Sequence, residues 1–230
     1  MSIFIGRYNA ENMVKPEDID EEIAKILIIM ARNAIEYYLD HEETPSEPPD
    51  IIEKYPVLKK NSAVFITLEK ISGGVRELRG CIGFVLPHMP LWRAVIESAI
   101  SSAFKDPRFD PVEKSELEEI VVEISILGMP ERVRKPLEEV TIGRDGLYMV
   151  KKLFSGILLP QVPVDYCWDV ETFLAETCIK AGLEPSCWLD EDTEIYRIPG
   201  RIYIEETPRG RVIMRDLVKE YMDKCGAINV

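Results

Sequence analysis

Apolar residues recur at helical spacing in some stretches of this chain and alternate in others. Ile19, Ile23, Ile26, Leu27, Met30, Ala34 and Tyr38 share one helical face. Asp18, with Glu21 three residues on, has the form of a capping box, so a helix is predicted over 19–40. The proline-rich run 44–49 ends it, and Tyr55-Pro56 continues an irregular connection. Residues 62–71 are rich in β-branched side chains and alternate, which predicts a strand. Gly73-Gly74 then suits a hairpin to a second strand over 75–85. A strict two-residue loop puts Ile66 opposite Cys81; a bulge or a longer loop changes that register.

Leu91, Ala94, Val95, Ser98, Ala99 and Ser102 mark a helix over 90–104 with Pro90 in its first turn. A strand follows over 120–127, nearly all apolar apart from Glu123 and Ser125. The GRDG turn at 143–146 leads into a strand over 147–150, and Ser155-Gly156 makes the next turn. Residues 157–163 read as a short strand whose prolines confine it to an edge or a bulge. Asp169 caps a helix over 170–181, and Gly182 stands where a left-handed C-cap belongs. Its apolar stripe makes Cys178 a core residue. Two short strands, 195–198 and 201–205, are split by Pro199-Gly200, and a helix is predicted over 214–222. Residues 1–16 read as an irregular arm.

A formal net charge of −13 counts against binding nucleic acid by bulk electrostatics, which needs Lys and Arg at the phosphates. The five cysteines, 81, 167, 178, 187 and 225, form no CxxC pair, and the two histidines, His41 and His88, lie far apart. A zinc site is therefore not expected, and no cofactor fingerprint is evident. An odd thiol count without a signal peptide points to reduced cysteines in the cytoplasm. The short apolar runs leave nothing able to span a membrane.

Candidate chemistry centres on residues 78–84, LRGCIGF. In a regular strand Arg79, Cys81 and Gly83 share one face, while Leu78, Ile82 and Phe84 share the other. A guanidinium two residues from a thiol favours the reactive thiolate. Gly80 and Gly83 leave space for something to approach the backbone. The plainer reading is a small buried Cys, with Arg79 paired to Glu77. Asp106-Pro107-Arg108-Phe109 forms a rigid loop that either closes a local salt bridge or holds Arg108 out as an anion clamp. Gln161 is polar in an apolar setting and needs partners, from backbone or ligand. His88 reads as a surface residue.

Taken together, LRGCIG at 78–83, DPRF at 106–109, LPQV at 159–162, ETFL at 171–174, CIKAGL at 178–183 and Trp188 resemble the AMMECR domain family. The resemblance covers about 63–205, most of the chain. It implies an α+β fold: a largely antiparallel β-sheet flanked by helices, in two lobes around a cleft. The chain then forms one domain with room for two sublobes. The arm, helix and loop occupy 1–61, the motif-bearing sheet and helices 62–206, and the tail 207–230. By family association the resemblance also implies Memo-like and radical-SAM-like protein partners, and a role in RNA or nucleotide modification.

Two functions stay open. One is a cytosolic enzyme acting on a small anionic or nucleotide-like substrate. Cys81 is then the nucleophile, Arg79 lowers its pKa, Asp106 orients an arginine or acts as base, and Gly80, Gly83, Arg108 and Gln161 bind substrate. The other is a module that binds a ligand or a protein without turnover.

Overall fold

The computed structural model describes residues 10–226. The irregular arm expected over 1–16 therefore lies outside the described residues as far as 9. From there the chain makes 3₁₀ turns at Ala10–Asn12 and Pro16–Asp18. In chain order the elements are α1 (Glu21–His41), α2 (Pro49–Lys54), β1 (Ala63–Ser72), β2 (Val75–Phe84), α3 (Leu91–Phe104), β3 (Ile120–Leu127), β4 (Glu131–Val133) and α4 (Pro136–Glu139). There follow β5 (Asp145–Lys151), β6 (Phe154–Leu158), α5 (Gln161–Asp165), α6 (Val170–Lys180), β7 (Glu194–Glu205), β8 (Val212–Met214) and α7 (Leu217–Cys225). The fold is α+β with antiparallel strand pairing and flanking helices.

The chain divides into two compact units. One comprises 10–127 with 201–214 among the described residues. Its sheet runs β2-β1-β3, then the second half of β7, then β8. Alternation in β1 and β3 separates two faces. Val64, Ile66 and Leu68 with Val122, Ile124 and Ile126 join a buried core with Leu27, Ile28 and Ile35 of α1 and Leu91, Val95 and Ala99 of α3. Within this core Arg32 of α1 is buried. Its Nε donates to Glu205 Oε1 at 2.7 Å, and its other nitrogens donate to the carbonyls of Leu117 and Ile120. A buried charge survives only when satisfied in this way.

The second unit comprises 128–200 with 215–226 among the described residues. Its sheet joins β4, the first half of β7, β5 and β6, with α6 against β5 and β6. Two disulfides, Cys167–Cys225 and Cys178–Cys187, lie within it. The expectation of reduced thiols is thereby corrected. Cys178 is fully buried, as its stripe requires, and residues 178 and 187 have their Cα atoms 5.8 Å apart, within bridging reach.

Several local expectations shift. The α1 cap is Asp20, whose carboxylate accepts from Ile23 N; Asp18 closes the preceding 3₁₀ turn instead, its carboxylate accepting from Lys15 N. Pro49 and Pro56 open short helical turns rather than an irregular loop, because proline fits the first helical position. The β5–β6 turn falls at Lys152-Leu153, with Lys152 at φ +56°, not at Ser155-Gly156. Residues 161–165 are helical rather than strand. Strand β7 runs unbroken through Pro199-Gly200, since Pro199 keeps its carbonyl for Gly128 N and forgoes only an N–H. The last helix begins at Leu217, after Asp216 accepts from Lys219 N.

Candidate functional site

The hairpin β1–β2 sets the geometry. Gly73 and Gly74, at φ +58° and +84°, form its two-residue turn. The register pairs Glu69 with Leu78 and Leu68 with Gly80, leaving Arg79 as the extra residue of a bulge. Beyond it Thr67, not Ile66, faces Cys81. On the other side of β1, Thr67 faces Glu123 of β3. Cys81, Thr67 and Glu123 thus form one row across three strands.

The bulge separates Arg79 from Cys81. Arg79 forks onto Glu116, with Nε to Oε1 at 2.9 Å and Nη2 to Oε2 at 3.0 Å, and donates to the carbonyls of Asp110 and Pro111. Neither the expected activation of Cys81 by Arg79 nor the alternative pairing with Glu77 is found. The cation that acts on the thiol is Arg108.

Cys81 is partly buried, and the Thr67 hydroxyl donates to its Sγ at 3.3 Å. Burial pushes the thiol pKa up, and the charges of Glu123 and Asp106 push the same way; Thr67 and Arg108 pull it down without offsetting them. The group is a thiol at neutral pH, in keeping with the plainer of the two sequence readings and not with the thiolate.

Asp106 is 4% exposed, with both oxygens engaged. Oδ1 accepts from Arg108 N and Nε, and Oδ2 accepts from Arg108 Nη2 at 2.6 Å and from Cys81 N at 2.9 Å. The Arg108 fork, with help from these amides, holds the carboxyl well below the usual carboxylate range. A carboxylate so stabilised is a poor general base; Asp106 instead orients Arg108 and ties the 106–109 loop to β2. The Arg108 side chain remains 51% exposed. Its guanidinium lies 5.4 Å from the Phe109 ring centroid, and that of Arg79 lies 5.9 Å from the same ring.

The glycines have packing reasons. A Cβ on Gly80 would stand 2.1 Å from the Ser102 carbonyl of α3. A Cβ on Gly83 would stand 2.4 Å from the Phe65 ring, which occupies the space expected to be hollow. His88 is exposed, packs edge-on against Phe84 and engages the Leu86 carbonyl, away from Cys81. Gln161 is buried at the start of α5, in the other unit, so the assembled group is Cys81, Arg79, Asp106 and Arg108 with Gly80 and Gly83. Sequence reasoning missed Thr67, Phe109 and Glu116 as members of this group. Glu123, 2% exposed, was visible as a lone acid in an apolar strand, but its place beside Cys81 depends on the bulged register. Among the described residues there is no cluster of three or more metal-ligating side chains, and no helix is long and apolar enough to cross a membrane.

The site thus sits on the outer strand of an antiparallel sheet, locked to the 106–109 loop. The AMMECR1 family model matches residues 28–203, and the chain belongs to that family. It is similar to a Thermococcus onnurineus protein, 48% identical over 87% of this chain and 98% of the relative. It is also similar to protein PYRAB00100 of Pyrococcus abyssi, 47% identical over the same shares. Among solved structures it resembles the uncharacterized protein PH0010 of Pyrococcus horikoshii, with a TM-score of 0.79 and 46% identity, over 86% of this chain and 98% of that one.

Proposed function

We propose that the chain binds a small anionic or nucleotide-like ligand beside Cys81, as a recognition module rather than through a cysteine nucleophile. The observation that carries this reading is Arg108. A buried carboxylate fixes one edge of its guanidinium, half the side chain faces solvent, and Nη1 has no hydrogen-bond partner among the described residues. A preoriented fork of this kind suits carboxylate and phosphate oxygens. The neighbouring Phe109 ring adds a face on which a planar group can stack. The raised thiol and the committed Asp106 argue against a thiolate step.

One observation favours an enzyme instead. The row Cys81–Thr67–Glu123 sets a buried carboxylate near the thiol, so that Glu123 rather than Asp106 would receive the thiol proton. Thermal shift with pyrophosphate and with AMP separates the two readings. Recognition predicts equal stabilisation of the wild type and Cys81→Ser, and none of Arg108→Gln. Stabilisation lost in Cys81→Ser favours the enzyme, and no shift with either anion sinks the recognition reading.

A further inference from the structure

On α1, outside the group around Cys81, the helix and the 45–55 segment enclose an apolar groove of about 590 Å³. Its floor includes Ile26, Met30, Ala34 and Ile96. Its lips carry Ile29, Ile51 and Tyr37, large apolar side chains 45%, 39% and 37% exposed. Apolar surface concentrated at one place in this way marks an interaction site. Along α1 the lining runs from Ile26 to Tyr37, three turns or about 17 Å of helix. That length matches the i, i+3/i+4, i+7 anchors of a second helix lying in the groove.

Charge identifies the occupant. In the lining itself Asp50 and Lys54 offset each other, and on α1 Glu36 is paired with Arg209 and Asp40 with Lys114, so the excess charge lies in the segment after α1. The stretch 42–53 alone holds Glu42, Glu43, Glu47, Asp50 and Glu53 and no Lys or Arg. This acidic segment flanks the apolar lips, where it disfavours fatty-acid carboxylates and anionic membranes and attracts Lys and Arg on the flank of a bound helix.

We infer that this groove docks a cationic amphipathic helix of a partner protein, with its apolar side chains between α1 and α2 and its basic residues against 42–53. The interaction is independent of the Cys81 site. Fluorescence anisotropy tests it with the full chain and a labelled 14-residue Leu/Lys peptide of amphipathic helical pattern. The expected result is micromolar binding, weakened at least tenfold by Ile29→Asp and by the double change Glu47→Lys/Asp50→Lys. Leu153→Asp, a change of a 95% exposed residue in the β5–β6 turn, should leave binding unchanged. Circular dichroism melts establish that each variant folds. Three results overturn the inference: equal binding of the peptide with Glu in place of Lys, indifference to Ile29→Asp, or a neutral dye, N-phenyl-1-naphthylamine, that fills the groove and is not displaced by the Leu/Lys peptide.

Discussion

At the scale of single residues, Cys81 is governed by its surroundings rather than by its chain neighbour. Its thiol pKa is raised, chiefly by burial. Iodoacetamide at pH 7.5 should therefore alkylate it more slowly than a free thiol, and mass spectrometry should show the rate still rising above pH 9. Faster labelling than glutathione would contradict the assignment. Glu116 carries a second prediction. The Arg79 fork, helped by the Glu113 amide, lowers its pKa from an ordinary 4.5 to about 2. A pKa depressed in the folded state stabilises above the unfolded value and is lost as pH falls through the folded one. The contribution, about 3 kcal/mol, is full above 4.5 and fades between 4.5 and 2. Glu116→Gln should lower the urea midpoint at pH 7 and flatten the pH dependence in that acid window. Of this chemistry the sequence showed the residue types but not their pairing. Arg79 and Cys81 are two apart and share a face only in a regular strand; one bulged residue undid that inference.

At the scale of elements, α3 lies close enough to β2 for its Ser102 carbonyl to occupy the space beside Gly80. Gly80→Ala must push helix and strand apart, at a cost of about 1–3 kcal/mol, readable as a lower melting temperature with α3 amides exchanging faster. The long elements were legible because their apolar period extends over several turns or pairs, as in α1, α3, β1 and α6. The short ones were not. Prolines at 49, 56 and 136 open helical turns too brief to show a period. The three-residue strands β4 and β8 are defined by pairing to β7 rather than by pattern.

At the scale of the molecule, the disulfides change how stability is distributed. Cys167–Cys225 closes a separation of 58 residues, which on loop-entropy grounds contributes about 4 kcal/mol. The double variant Cys167→Ser/Cys225→Ser should lose that amount in chemical unfolding, whereas Cys81→Ser should lose far less. An unchanged midpoint would show that the bond closes nothing the fold does not already hold. Cysteine spacing could not reveal the pairing, because partners 58 and 9 apart in sequence are brought together by the packing of α5 on α7 and by the short turn that folds back after α6.

Strand β2 is the outermost of its sheet. Its Cys81 amide is held by the Asp106 carboxylate, and its Cys81 carbonyl accepts from Arg108 Nη2. A stray chain seeking to extend the sheet there finds that donor and that acceptor taken. The side chains that anchor the loop also guard the molecule against growing, copy upon copy, into fibres.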